Sequence, residues 1–200
     1  MDELDSDEAL MMKYRHGDAA AFDTLYARHR AGLFRFIVRQ CKARSHGEEI
    51  FQDVWMKLIE ARGRYQVDAK FRTYLYTLAR NRLIDYYRSS GRAGRADLVL
   101  VEAVDTDNLP ETVASRVDEP QVRHEAKMQG AAILTLLQEL PTAQREAFLL
   151  YEEGGLSVEE IAVATGTTFE AAKSRLRYAV AKLREGLKPW AGAIAAGERS

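Results

Sequence analysis

Two stretches of this chain carry side chains suited to polyanions. Residues 62–95 hold nine bases (Arg62, Arg64, Lys70, Arg72, Arg80, Arg82, Arg88, Arg92 and Arg95) against Asp68 and Asp85. Tyr65, Phe71, Tyr74, Tyr76, Tyr86 and Tyr87 are interleaved with them. Guanidinium groups neutralise phosphates, and exposed aromatic rings stack on unpaired bases at roughly 1–3 kcal/mol per base. That combination suits single-stranded or opening DNA better than a closed duplex; a basic surface over a tyrosine-containing core is the alternative. The second stretch, Lys173 to Lys188, carries six bases and only one acid, Glu185. Within it Lys173, Ser174, Arg175, Arg177 and Tyr178 lie on the far side or the flanks of a helix whose inward stripe is Phe169, Ala172, Leu176, Val180, Leu183 and Leu187. A helix buried on one side and bearing donors on the other is what the major groove accepts. A solvated basic helix in an α-bundle has the same composition, but the segment before this one favours DNA.

That segment begins at Ser157, with Glu160 three residues on, the spacing at which hydroxyl and carboxylate cap each other's backbone donors. Ile161 and Ala162 provide a small apolar face, and Gly166 can take a positive φ in a tight turn. Thr167 with Glu170 reads as the cap of the following helix. Two capped helices joined by a short glycine turn make a helix-turn-helix over Leu156 to Leu187.

Enzymatic chemistry finds no footing. His16, His29, His46 and His124 are scattered, with no HExxH or CxxC spacing, no glycine-rich phosphate loop and no nucleophile elbow. Glu152-Glu153 and Glu159-Glu160 sit at helix ends or starts, where solvation and the helix dipole account for them. The expectation is a non-enzyme with no cofactor, no metal and no small-molecule substrate. The single cysteine, Cys41, allows no internal disulfide and lies on an apolar helix side, which suggests core packing.

The elements that must position these residues are all helical. A short helix over residues 5–15 carries Leu10, Met11 and Tyr14, and Asp18 caps a second helix over 19–43. Ser45 with Glu48 reads as a capping box for a third, buried through Ile50, Phe51, Val54, Trp55, Leu58 and Ile59 and ending at Gly63. A fourth spans about 69–88. A second helical region begins at Val122, with Ile133, Leu134, Leu137 and Leu140 apolar, and Pro141-Thr142 opens a helix closed by Gly154-Gly155.

Charge is segregated although the formal net charge is −1. Residues 1–95 hold 18 Lys/Arg against 13 Asp/Glu, whereas residues 96–120 hold one base, Arg116, against seven acids and show no helical period. The expected architecture is therefore all-α: two small helical domains (1–95 and 121–190) joined by an extended acidic linker (96–120), the C-terminal one containing the helix-turn-helix, with a frayed tail at 191–200. The acidic N-terminus lacks an apolar signal core and no run approaches the ~20 residues of a membrane span, so a cytoplasmic protein without direct membrane insertion is expected.

Leu140-Pro141-Thr142-Ala143-Gln144-Arg145-Glu146-Ala147-Phe148, Gly155-Leu156-Ser157-Val158-Glu159-Glu160-Ile161-Ala162 and Ala172-Lys173-Ser174-Arg175-Leu176 resemble the C-terminal domain of bacterial sigma factors of the extracytoplasmic-function group. Glu48-Glu49-Ile50-Phe51-Gln52-Asp53-Val54-Trp55 is similar to their polymerase-binding helix, and the run from Phe71 to Asp85 to their promoter-melting segment. The resemblance covers about residues 8–95 and 120–188, in the family's order.

It implies a sigma factor that joins core RNA polymerase and directs it to promoters. The N-terminal domain would bind the β′ clamp helices and melt the −10 element, the C-terminal domain would sit on the β flap and read the −35 element, and the linker would thread toward the RNA exit channel. Candidates for polymerase binding are Gln52, Asp53, Met56 and Lys57; for −10 melting Tyr74, Tyr76, Arg80, Asn81, Tyr86 and Arg88; for the −35 element Lys173, Ser174, Arg175, Arg177 and Tyr178. An anti-sigma factor competing with polymerase for the face around Asp53 is implied too, with phosphorylation as the rival form of control. His46 stands where the family often has an acid, and Glu170-Ala171-Ala172 where Gly-Thr-Val is usual. A helix-turn-helix regulator that acts without joining polymerase, or a helical adaptor, are the competing classes.

Overall fold

The computed structural model describes residues 5–41, 43–89 and 132–188, and those residues are helical with short connections. The N-terminal half comprises α1 (Asp7–Arg15), α2 (Ala19–Val38), α3 (Arg44–Ala61), a single 3-10 turn (Arg62–Arg64) and α4 (Phe71–Ser89). The C-terminal half comprises α5 (132–138), α6 (Thr142–Glu152), α7 (Val158–Thr165) and α8 (Phe169–Leu187). The acidic segment 96–120, the start of the second region at Val122 and the tail 191–200 lie outside the described residues.

Local chemistry explains most helix starts. Ser6 caps α1 by accepting from the Ala9 amide, and Asp18 caps α2 by accepting from Ala20 and Ala21, so donors that the helix leaves orphaned are satisfied. Two starts differ from expectation. Ser45 and Glu48 form no capping box: α3 begins a residue earlier, at Arg44, and Glu48 is taken by the Arg44 guanidinium at 2.9 Å. Thr168, not Thr167, caps α8, because the left-handed Gly166 (φ 64°) and the Thr167 amide, bonded back to the Ala162 carbonyl, still belong to the end of α7. Further, α2 stops at Val38 rather than 43. Gln40 and Cys41 fold back in tight turns, and the Gln40 side chain donates to the Phe36 carbonyl.

The core of the N-terminal half is packed by Leu25, Leu33, Phe36, Ile37, Ile50, Val54, Leu58, Phe71 and Leu75, all 0% exposed. Fully burying each such side chain contributes roughly 1.5–3 kcal/mol. The Trp55 ring is edge-on to Phe22 and Tyr26, which locks α3 to α2. In the C-terminal half Leu137, Leu140, Leu149, Leu150, Leu156, Ile161, Ala172, Ala179 and Leu183 are buried, with α6 and α7 both packed on α8. These two sets of residues belong to one continuous cluster, because α7 also packs against α4.

Candidate nucleic-acid interface

α8 is presented by the turn before it. Ser157 accepts from the Glu160 amide while the Glu160 carboxylate accepts from the Ser157 amide, and Gly166 reverses the chain. Ala172, Ala179 and Leu183 then anchor α8 inward, so Lys173, Arg177 and Tyr178 are exposed on the other side. Ser174 and Arg175 are half-buried on the flanks. Phe169 departs from the expected stripe: it is 40% exposed, with the Lys173 ammonium 5.6 Å from its ring centroid. Ala179 takes the inward place that the periodic reading left to the larger residues. Arg177 lies over Tyr178, 5.0 Å from the ring centroid, so cation and ring form one outward unit.

α4 carries the second face. Asn81 and Arg88 are exposed, while Tyr74 and Tyr86 are half-buried. Tyr76 is a correction to the reading of an exposed aromatic-basic surface. Only 2% exposed, it sits edge-on to Phe36 and donates its hydroxyl to the Glu153 carbonyl at 2.7 Å. Tyr65 (3%) and Phe71 (0%) also face inward. The spacing of a helix whose turns are nearly all enclosed puts large rings inward as readily as outward. Burial pushes the Tyr65 phenol up to about 12, so it stays neutral. Arg80 is occupied as well, its Nε 3.0 Å from a Glu146 carboxylate oxygen. Burial raises the Glu146 carboxyl above the ordinary carboxylate range, with Arg80 opposing that shift.

A cleft of about 310 Å³ opens where the 3-10 turn meets α4, lined by residues that include Arg64, Gln66, Thr73, Tyr74, Thr77 and, from α7, Val163. Arg64, Gln66 and the threonines give it polar edges, and Tyr74 gives it an aromatic wall. Sequence reasoning missed it because its lining comes from a non-helical connection and a distant helix. The short break between Arg62 and Lys70 was the available signal.

On α3, Gln52, Met56 and Lys57 are exposed, Met56 by 54%. Asp53 is half-buried and gripped by Arg82 of α4, with two guanidinium nitrogens 2.8 and 2.5 Å from one carboxylate oxygen. That partner was not foreseen. An exposed methionine bordered by amide, acid and ammonium groups has the composition of a protein-docking patch.

Comparison with known proteins agrees with this geometry. Residues 25–93 match the Sigma-70 region 2 family and residues 130–183 the Sigma-70 region 4 family. The RNA polymerase sigma factor CarQ of Myxococcus xanthus is 30% identical over 179 residues, covering 88% of this chain and 94% of that protein. The extracytoplasmic-function sigma factor RpoE of Cereibacter sphaeroides is 30% identical, covering 88% and 92%. The solved structure of CnrH in complex with the cytosolic domain of CnrY shares the fold, with a TM-score of 0.64 at 23% identity over 92% of this chain and 99% of that one. A regulator that ignores polymerase, or a helical adaptor, is thereby set aside. With both sigma regions in order along a chain whose described residues are helical, the protein belongs to the RNA polymerase sigma factors of the extracytoplasmic-function group, initiation factors that direct RNA polymerase to promoters.

Proposed function

We propose a division of labour along the chain. Residues 1–95 form a domain that docks on core polymerase and opens the −10 element, and residues 121–190 form a domain that reads the −35 element. The outward face of α8 carries this reading: three exposed polyanion-binding or stacking groups, Lys173, Arg177 and Tyr178, stand opposite a buried seam on the second helix of a helix-turn-helix. Ser174 and Arg175 would add contacts from the flanks, to base edges or phosphates. On α4, Tyr74, Asn81, Tyr86 and Arg88 border the opened strand, joined by Arg80 once Glu146 leaves, and the cleft beside Tyr74 receives one extruded base. Extrusion costs a few kcal/mol, which stacking and pocket contacts offset.

Gln52, Asp53, Met56 and Lys57 form the polymerase face, at the β′ clamp helices, and the C-terminal domain lies on the β flap. An anti-sigma protein fits the same exposed surfaces; CnrH itself is seen with the cytosolic domain of CnrY. The protein works where core polymerase and DNA are, in the cytoplasm. Run-off transcription with purified core polymerase tests the whole reading. Promoter-dependent transcripts and permanganate-reactive −10 thymines are expected only when the chain is added. Transcripts with unreactive −10 thymines would remove the melting role from α4.

A further inference from the structure

One cationic cluster in the N-terminal half belongs to neither candidate set. Arg35 of α2 and Arg39, the residue that caps it, close on the carboxylate of Glu153, at the end of α6: Arg35 Nε is 2.6 Å from one oxygen and Arg39 pairs with the other. Tyr76 donates to the Glu153 carbonyl, and Arg72 of α4 donates to the Gly155 carbonyl at 3.3 Å. The Glu153 side chain is only 7% exposed. Gly32 makes the approach possible, since a Cβ there would lie 2.6 Å from the Glu153 carbonyl oxygen and 2.9 Å from the Tyr76 hydroxyl. Two helical turns earlier on α6, Glu146 holds Arg80 in the same manner. Both carboxylates come from the C-terminal half, and the bases they occupy border the face assigned to the opened strand.

The acceptors around this cradle are all oxygens: two of a carboxylate and two of backbone carbonyls. A planar guanidinium takes a phosphate in the geometry it uses for a carboxylate. Arg35 and Arg72 also lie beside Tyr76, one turn of α4 from Arg80, and Arg39 shares the Glu153 carboxylate with Arg35. A strand crossing α4 would therefore carry its backbone over them.

We propose that Arg35, Arg39 and Arg72 form a phosphodiester site for the opened promoter strand, which Glu153 fills while the two halves are closed, as Glu146 fills Arg80. The proposal rests on α4 being the strand-opening surface. Strand and α6 then compete for the same cations, and the closed chain binds single-stranded DNA only in proportion to its open fraction.

The test uses the full chain, a fluorescent mixed-sequence single-stranded oligonucleotide read by anisotropy, and solution scattering to read opening. Glu146→Gln/Glu153→Gln frees the cations, and Gly32→Ala wedges the contact while replacing glycine with a better helix former. Both should enlarge the radius of gyration and tighten oligonucleotide binding about tenfold or more. Arg35→Gln/Arg39→Gln should also enlarge the chain, because it breaks the Glu153 contact, yet gain clearly less affinity than the Glu and Gly variants. Loss of two phosphate contacts should also flatten its log–log salt dependence by roughly 1.4 relative to the Glu variant. If the Arg variant gains affinity as the Glu variant does, the cluster is a latch without a ligand and the proposal fails. It fails also if the Glu and Gly variants open without tightening. Asn81→Ala/Arg88→Ala in the Gly32→Ala background separates this from the underlying reading. Unchanged binding there overturns the role of α4 itself, whereas a loss there together with an equal gain in the Arg variant overturns only the cradle.

Discussion

α4 and α8 are both 19-residue helices rich in arginine, and they meet their surroundings in opposite ways. On α8 the cations lie over rings of the same helix, Lys173 on Phe169 and Arg177 on Tyr178, and remain exposed. On α4 they reach other helices, Arg80 to Glu146 and Arg82 to Asp53, and Tyr76 is sealed beneath Glu153. A helix that reads an intact duplex can be displayed as it stands. A helix that holds unpaired bases needs large rings, which gain from leaving water and so find cover within the protein when no strand is present. On the proposed division of labour, the C-terminal half is built ready and the N-terminal half is built to be uncovered.

The largest effects should come from α8. Replacing Lys173, Arg175 and Arg177 together with alanine removes contacts that are each worth ~1–3 kcal/mol when made to a base edge. Promoter binding by holoenzyme should drop by on the order of 100-fold or more. Asn81→Ala/Arg88→Ala on α4 should leave duplex binding nearly intact and reduce permanganate-reactive open complex, a defect that a pre-melted template relieves. Equal losses of duplex binding from the two helices would abolish the distinction between them.

Asp53 tests the far side of α4. Asp53→Arg sets two guanidinium groups together and places a cation in the proposed polymerase face, so affinity for core should fall about tenfold or more, for ~1.4 kcal/mol or above. Helicity should stay native, since Asp53 lies outside the core. Arg82→Asp added to it rebuilds an ion pair in reverse. If the pair alone matters to polymerase, the double variant recovers binding; if the acid at 53 touches polymerase, it does not.

Acid should weaken the N-terminal half. Asp7 accepts from His29 at 2.7 Å and from Arg28 at 2.8 Å, which, against the opposing effect of burial, hold its carboxyl down at about 2 instead of 3.8. The native state thus favours the ionised form. The resulting stabilisation, about 2 kcal/mol, is complete above pH ~4 and is lost as pH falls through ~2. Asp7→Asn should remove this increment at neutral pH and flatten unfolding stability between those values. An unaltered acid profile in Asp7→Asn would assign the acid sensitivity to other groups.

Legibility in the sequence followed distance along the chain. The helix-turn-helix was readable because its determinants are three to four residues apart: Ser157 with Glu160, Gly166 in its turn, and Ala172 with Leu176 on the inward side. The outward positions of Lys173 and Arg177 followed from the same periodicity. Tyr76 and Arg80 looked exposed because nothing local to α4 announces that Glu153 and Glu146 arrive from 77 and 66 residues away. Arg35 and Arg39 were passed over for the same reason, their shared partner lying 118 and 114 residues downstream. Where a local competitor exists, even short-range signals mislead, as Arg44 did by taking Glu48 from Ser45.

That last contrast gives the smallest and sharpest measurement. Ser157 and Ser45 each precede a glutamate by three residues, yet only Ser157 caps a helix. Ser157→Ala removes the acceptor for the Glu160 amide at the N-terminus of α7, and such a loss costs typically ~1 kcal/mol. It should also loosen the angle at which α7 presents α8, so a modest weakening of promoter binding should accompany the lower stability. Ser45→Ala removes no cap, because α3 has already begun at Arg44 and Ser45 is exposed within its first turn. Alanine is the better helix former there, so stability should be unchanged or rise by a few tenths of a kcal/mol. Thermal unfolding of the two variants under one buffer compares them directly. Equal destabilisation would mean that Ser45 caps α3 after all, and that a capping-box pattern outweighs the Arg44–Glu48 ion pair in solution.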